Sequence, residues 1–247
     1  MTLINRVAAG LGAYFLALIV TIPATLFDAG LRRASDGRLR LAEAHGTVWS
    51  GTGQLEILDA RGQTGAGNRV AWRLLPGSLF AGHAVYEVDL EQAAKPFPAT
   101  FSFTRIELSD AEINLPASIL GLAVPRLAPL GLSGDLLLRV GRLSAGRGDM
   151  RGNATLQWRG AGSALTRVSP LGDYELRIAD AGSVMQATLR TLQGPLQLDG
   201  QGSWASGVDP VFVATARVSP QHQEQLEPLF QLIAIRRGAG EYELRLR

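Results

Sequence analysis

Past residue 40, apolar and polar positions alternate with a period of two far more often than with a period of 3.6. Clear runs are Gln54–Leu58, Ala84–Leu90, Ala99–Leu108, Asp135–Val140, Asn153–Trp158, Asp173–Ile178, Val184–Leu189, Leu196–Leu198, Val211–Val218 and Glu241–Leu246. Turns containing Gly, Ser, Asp or Pro separate them, with the spacing of an antiparallel meander. Apolar residues alternate with Arg, Glu, Gln or Thr, so each strand should have one buried and one wet face. The pattern predicts a mainly β protein built on a curved antiparallel sheet.

Three segments depart from that rhythm. Leu115–Leu122 opens with Pro116 at a first helical position and predicts a short helix. Within Gln221–Ile235, Leu226, Leu229, Phe230 and Ile233 fall at helical spacing, with Ser219 placed to cap and Gly238 to stop the helix. Pro228 lies inside that window and marks a kink or a late start. The third departure is the run Val7–Phe27, 21 residues without a charged side chain between Arg6 and Asp28.

A helix of that length is about 31 Å long, roughly the thickness of a bilayer's hydrocarbon core. Only a helix carries so many backbone amides through lipid with each one bonded internally. The alternative is a cleaved signal peptide, with Arg6 as its charged region and Ile22-Pro23-Ala24 as the cleavage site. The Pro, and apolar residues continuing to Phe27, fit cleavage poorly, so residues 7–27 are read as a single-pass anchor behind a cytoplasmic tail, residues 1–6. Arg32, Arg33, Arg38 and Arg40 just beyond it oppose a cytoplasmic N-terminus by local charge counting. A six-residue tail is nonetheless the easier end to retain. The expectation is an inner-membrane protein with its bulk in the periplasm.

Composition narrows the chemistry. Net charge is +2, Lys95 is the single lysine among 24 Lys and Arg, and the arginines are dispersed, so no basic stripe for nucleic acid is present. With no cysteine, thiol catalysis, disulfides and thiolate metal sites are excluded together. His45, His83 and His222 lie far apart, none with a second ligand at metal-binding spacing. No GxSxG elbow occurs. Gly200-x-Gly202-x-x-Ala205 resembles a dinucleotide fingerprint, but Ser206–Pro210 cannot open the helix that would hold a pyrophosphate. Arg147-Gly148-Asp149 is a chance tripeptide in an Arg- and Gly-rich chain. No catalytic, cofactor-binding or metal residue is assigned, no cofactor is expected, and the chain is read as a scaffold, adaptor or binder rather than an enzyme.

A faint repeat relates two parts of the chain. Trp72-Arg73 is followed by Leu79 and Tyr86-Glu87-Val88, and Trp158-Arg159 by Leu165 and Tyr174-Glu175-Leu176, with the tryptophans 86 residues apart. Gly-rich hairpin regions, Gly62–Gly67 and Gly141–Gly152, precede each. Two related sheet units, residues 28–125 and 126–247, are therefore expected. Trp49, Trp72, Trp158 and Trp204 stand at strand ends as core fillers or partner anchors. Val211–Val218 and Glu241–Leu246 are candidate sheet edges open to an added strand.

The segment Gly46-Thr47-Val48-Trp49-Ser50-Gly51, then Trp72-Arg73-Leu74-Leu75-Pro76 with Leu79 and Gly82, resembles protein N of bacterial type II secretion systems. Leu115–Ser118, Leu130–Gly134, Ser169–Tyr174 and Ala214–Glu224 add to the resemblance in the same order. It implies an accessory inner-membrane component of the machine that exports folded proteins from the periplasm. Its implied partners are other type II secretion inner-membrane subunits and inner-membrane lipid, with no nucleic acid. A looser similarity to AsmA-like envelope proteins, carried by the strand–Gly–Trp rhythm, implies the alternative of a lipid- or hydrophobic-ligand-handling module.

Overall fold

The computed structural model describes residues 14, 17–58, 64–146, 149–182, 184–205, 211–238 and 240–246. Alternating apolar and polar residues here produce one antiparallel sheet of fourteen strands, each neighbour in the chain being a neighbour in the sheet until the last pair is exchanged. The strands are β1 (Leu39–Gly46), β2 (Ser50–Leu58), β3 (Thr64–Leu75), β4 (Ala84–Leu90), β5 (Phe97–Phe101), β6 (Arg105–Pro116) and β7 (Leu132–Gly146). They continue with β8 (Asp149–Ser163), β9 (Gly172–Ala181), β10 (Val184–Gln193), β11 (Leu196–Ala205), β12 (Val211–Val218), β13 (Ala234–Gly238) and β14 (Glu241–Leu246). The helices are α1 (Thr25–Ala34), α2 (Ile119–Ala123) and α3 (Gln223–Ile233).

Register places most of the apolar side chains on one face. One row runs Ile113, Leu138, Leu156, Leu176, Leu189, Gly200 and Ala214, each directly opposite the next from β6 to β12. The opposite face carries the polar partners. Arg40 faces Glu56, Arg73 faces Glu87, Glu112 faces Arg139, Glu175 faces Arg190 and Arg217 faces Glu241. All five are ion pairs. Mostly exposed pairs of this kind contribute little energy, about 0–1 kcal/mol each. Like charges meeting after a register slip would cost as much, so the pairs help fix the alignment.

Two helices cover the ends of the apolar face. Phe27 and Leu31 of α1 pack with Leu41, Val70, Trp72, Leu74 and Tyr86. Phe27 meets the Trp72 and Tyr86 rings edge-on at 5.4 and 5.5 Å. At the other end Leu226, Leu229 and Phe230 of α3 pack with Tyr174, Leu196, Ala216, Val218 and Tyr242. Phe230 stacks on Tyr242 at 4.0 Å. Between them lies a third cluster, Phe97, Ala111, Ile113, Val140 and Ala154, to which neither helix contributes.

Several expectations change. Ala99–Leu108 is not one strand, because the chain turns at Ser102–Thr104, where Ser102 N–H bonds Arg105 O at 2.9 Å. Pro116 ends β6 instead of opening a helix; α2 begins three residues later. Ser219 makes no side-chain cap and instead contacts His222 Nδ1 at 2.9 Å. Gly238 ends β13, a strand that follows α3 directly, and Pro228 is accommodated inside α3. Val211–Val218 and Glu241–Leu246 are interior strands; β1 and β13 are the edges. Gly141–Gly146 belongs to β7 and Asp149–Gly152 to β8, so that region is mostly strand.

Of the predicted span over residues 7–27, residues 7–13, 15 and 16 lie outside the described residues. Ala17–Val20 is helical, but the helix stops at Thr21 and does not reach Phe27. Pro23 bridges Thr47 instead, and Thr25–Phe27 belongs to α1, whose charged residues Asp28, Arg32 and Arg33 make it amphipathic. Among the described residues no helix is long and apolar enough to cross a membrane. The boundary at 125/126 falls in the 3-10 turn Pro125–Leu130, and β6 and β7 on either side pair from Arg105↔Gly146 to Pro116↔Asp135. The two units are thus halves of one ladder.

Candidate binding surfaces

Trp72 and Trp158, the tryptophans aligned in the sequence, make matching contacts. Trp72 closes the β2–β3 hairpin opposite Gly51, and its indole N–H donates to Thr47 O at 3.1 Å. Trp158 closes the β7–β8 hairpin opposite Leu136, and its indole N–H donates to Ser133 O at 3.0 Å. Each bond ties a strand end to a carbonyl 25 residues earlier. Gly51 is required beneath the first ring, since a Cβ there would come within 2.5 Å of Trp72 Cζ2. Trp158 lies beside Tyr174, at 5.9 Å between centroids. Trp72 is buried, while Trp49 and Trp158 are half-buried, so the core-filling role holds for the first and partly for the others.

Trp49 does something different. Its indole N–H donates to Ile19 O at 2.8 Å. Val48 N–H bonds Ile22 O at 3.0 Å and Ala24 N–H bonds Gly46 O at 3.2 Å. The apolar N-terminal segment is therefore fastened directly to the β1–β2 turn, with no free linker between them.

The histidines are not gathered into a site. His45, His83 and His222 each make a local contact, to Glu43 O, Ala81 O and Ser219 Oγ respectively. Among the described residues no group of three or more His, Cys, Asp and Glu is placed to hold a metal ion. Gly200, Gly202 and Ala205 lie within the continuous strand β11, where the two glycines make room for the Phe212 ring. Arg147 and Gly148 of the adhesion-like tripeptide lie outside the described residues; Asp149 bonds Arg105 and Arg151.

The most elaborate polar contact escapes sequence reading altogether. Glu175 is buried at 4% exposure on the polar face, bonded by Gln157 and paired with Arg177 and Arg190. The Gln157 hydrogen bond, helped by the two guanidinium charges and opposed by burial, holds its pKa below the usual carboxylate value. Tyr174 next to it is pushed well above the usual phenol value by burial, and its hydroxyl donates to Leu196 O at 3.0 Å. Both groups are held by partners within the sheet.

What the geometry defines is one fourteen-stranded antiparallel sheet whose apolar face is covered by a helix at each end. The family model for type II secretion system (T2SS), protein N, matches residues 37–245, which is the entire sheet, and the chain belongs to that family. It is a component of type II secretion. No curated protein and no solved structure gives a significant match.

Proposed function

We propose that this chain is an accessory subunit of the type II secretion inner-membrane platform, supporting export of folded proteins across the outer membrane by contact with other platform subunits. In this reading the N-terminal apolar segment is a single-pass inner-membrane anchor and the sheet stands in the periplasm. The observation that carries it is the family match over the whole sheet, residues 37–245. The hydrogen bonds from Trp49, Val48 and Ala24 across to the N-terminal segment support a sheet held at a fixed attitude to its anchor. Deletion should lower export of secreted enzymes while Sec-dependent translocation continues unchanged. Recovery of the tagged chain from mild detergent without any secretion subunit would count decisively against the scaffold role. A reporter fused after Arg247 tests the orientation.

A second reading has one observation in its favour. Leu138, Leu156, Leu176 and Leu189 form a half-buried row at mid-sheet. An apolar strip of that kind can shield an acyl chain, as an AsmA-like lipid-handling module would. Native mass spectrometry of the detergent-free protein separates the two: stoichiometric phospholipid supports this reading, and its absence removes it.

A further inference from the structure

We infer that the rim formed by the β3–β4 and β5–β6 turns is a membrane-interface surface, with Phe80 and Phe103 dipping into the phospholipid headgroup and acyl boundary. This deepens the anchor reading above and rests on it.

Strands alternate in direction, so the β1–β2, β3–β4 and β5–β6 turns all lie on the same rim of the sheet. Phe80, in the 3-10 turn Pro76–Ala81, is 96% exposed, and Phe103, at the tip between β5 and β6, is 97% exposed. Ordinary surface phenylalanines keep part of their ring against neighbours; these two have almost none covered. Leu79 is also exposed and shares a shallow depression with Phe101 and Phe103, so the two turns form one continuous apolar patch. No Asp, Glu, Lys or Arg interrupts the tips: Pro76–Gly82 and Ser102–Thr104 carry none, and the first ones behind them are Arg73, Glu87 and Arg105. Arg73 is paired with Glu87, and Arg105 with Asp149.

Position identifies the occupant. The same rim receives the apolar N-terminal segment, through Trp49 Nε1 to Ile19 O and Val48 N–H to Ile22 O. Trp49 is next to the patch, since its carbonyl accepts a 2.6 Å bond from Leu74 N–H at the end of β3. Leu18, Ile19 and Val20 on the segment are themselves half-exposed. A chain that places this segment in a bilayer must bring the rim to the lipid surface, because Ile19, Ile22 and Ala24 are each hydrogen-bonded to the β1–β2 turn. Exposed aromatic tips without nearby charge, held at that level, have the properties of an interfacial contact. Loops meant to stay in water would not keep two bare phenylalanines there. The contact would fix the tilt of the sheet, which a single helix cannot do.

The native chain has no cysteine, so single-site labelling is clean. Full-length Phe80→Cys, Phe103→Cys and, on the opposite rim, Arg167→Cys would each carry an environment-sensitive NBD probe in pure phospholipid vesicles. Blue-shifted emission and strong quenching by spin-labelled lipid are expected at positions 80 and 103, with neither at 167. If the chain floats with the vesicles but all three probes report water, the rim assignment falls and the anchor stands. If it fails to float, the anchor reading falls and takes the rim with it. A shift at 80 and 103 that appears only in native membranes and not in pure lipid assigns the patch to a protein neighbour and overturns the lipid assignment.

Discussion

At the residue scale, Trp72 and Trp158 do the same job in two environments, and substitution should separate them. Trp72→Phe removes the bond to Thr47 O where the ring is buried, leaving a carbonyl poorly reached by water; about 2 kcal/mol of stability should be lost. Trp158→Phe removes the equivalent bond at a half-buried ring, and water can reach Ser133 O, so about 1 kcal/mol is expected. Urea unfolding of the two variants checks the order. Glu175 invites a second test. Its native pKa lies below its ordinary value, so its contribution is present above the unfolded-state pKa and is lost as pH falls through the native one. Glu175→Gln should cost about 2 kcal/mol at neutral pH, where Arg177 and Arg190 lose their carboxylate. Unfolding in increasingly acid buffer should show the variant and the native protein converging. The tryptophan correspondence was visible as spacing in the chain, because each bond closes a local hairpin. Glu175 was not, since two of its three partners come from β8 and β10 and its burial depends on the register among three strands.

At the element scale, the two capping helices differ in how well sequence disclosed them. The spacing of Leu226, Leu229 and Phe230 marks α3, and the structure buries all three. α1 hid inside what looked like the end of an apolar run, because Phe27 serves equally as the last residue of a span or the first turn of an amphipathic helix. Pro23 decides between them by removing an N–H and giving up helical pairing for the bridge to Thr47. β1 and β13 were missed for related reasons: β1 carries a bulge between Ala42 and His45 that breaks its alternation, and β13 is only five residues long. α3 contributes three buried side chains, Leu226, Leu229 and Phe230, to the core at its end of the sheet. Phe230→Ala should therefore cost about 4 kcal/mol, by the loss of a buried ring stacked on Tyr242. Phe103→Ala, which removes a ring with no neighbours, should leave the thermal midpoint of the detergent-solubilised protein unchanged. Equal losses at the two positions would mean that Phe103 packs against something in the folded protein.

At the scale of the whole molecule, the period-two pattern foretold the sheet and its two-faced character, while strand order came from the lengths of the connections. Most turns are short and leave no room for crossovers, so the chain lays each strand beside the last; only after α3 is the order exchanged, β14 taking the place next to β12. Strands then touch mainly their immediate neighbours, as in a linear repeat array, and stability should vary along the array. β7 and β8, fifteen residues each, share the longest ladder and sit at the centre. β1 and β13 have one unpaired side each. Amide exchange followed by mass spectrometry should accordingly show strongest protection across β6–β9, declining toward both edges. The repeat makes the rival outcome specific. If residues 28–125 and 126–247 open as independent units, protection would dip between β6 and β7 and rise on either side. The β6–β7 ladder argues against that dip, because it runs unbroken in direction from Arg105↔Gly146 to Pro116↔Asp135 and carries the Glu107–Arg142 and Glu112–Arg139 pairs. A single protected centre is therefore the expected result.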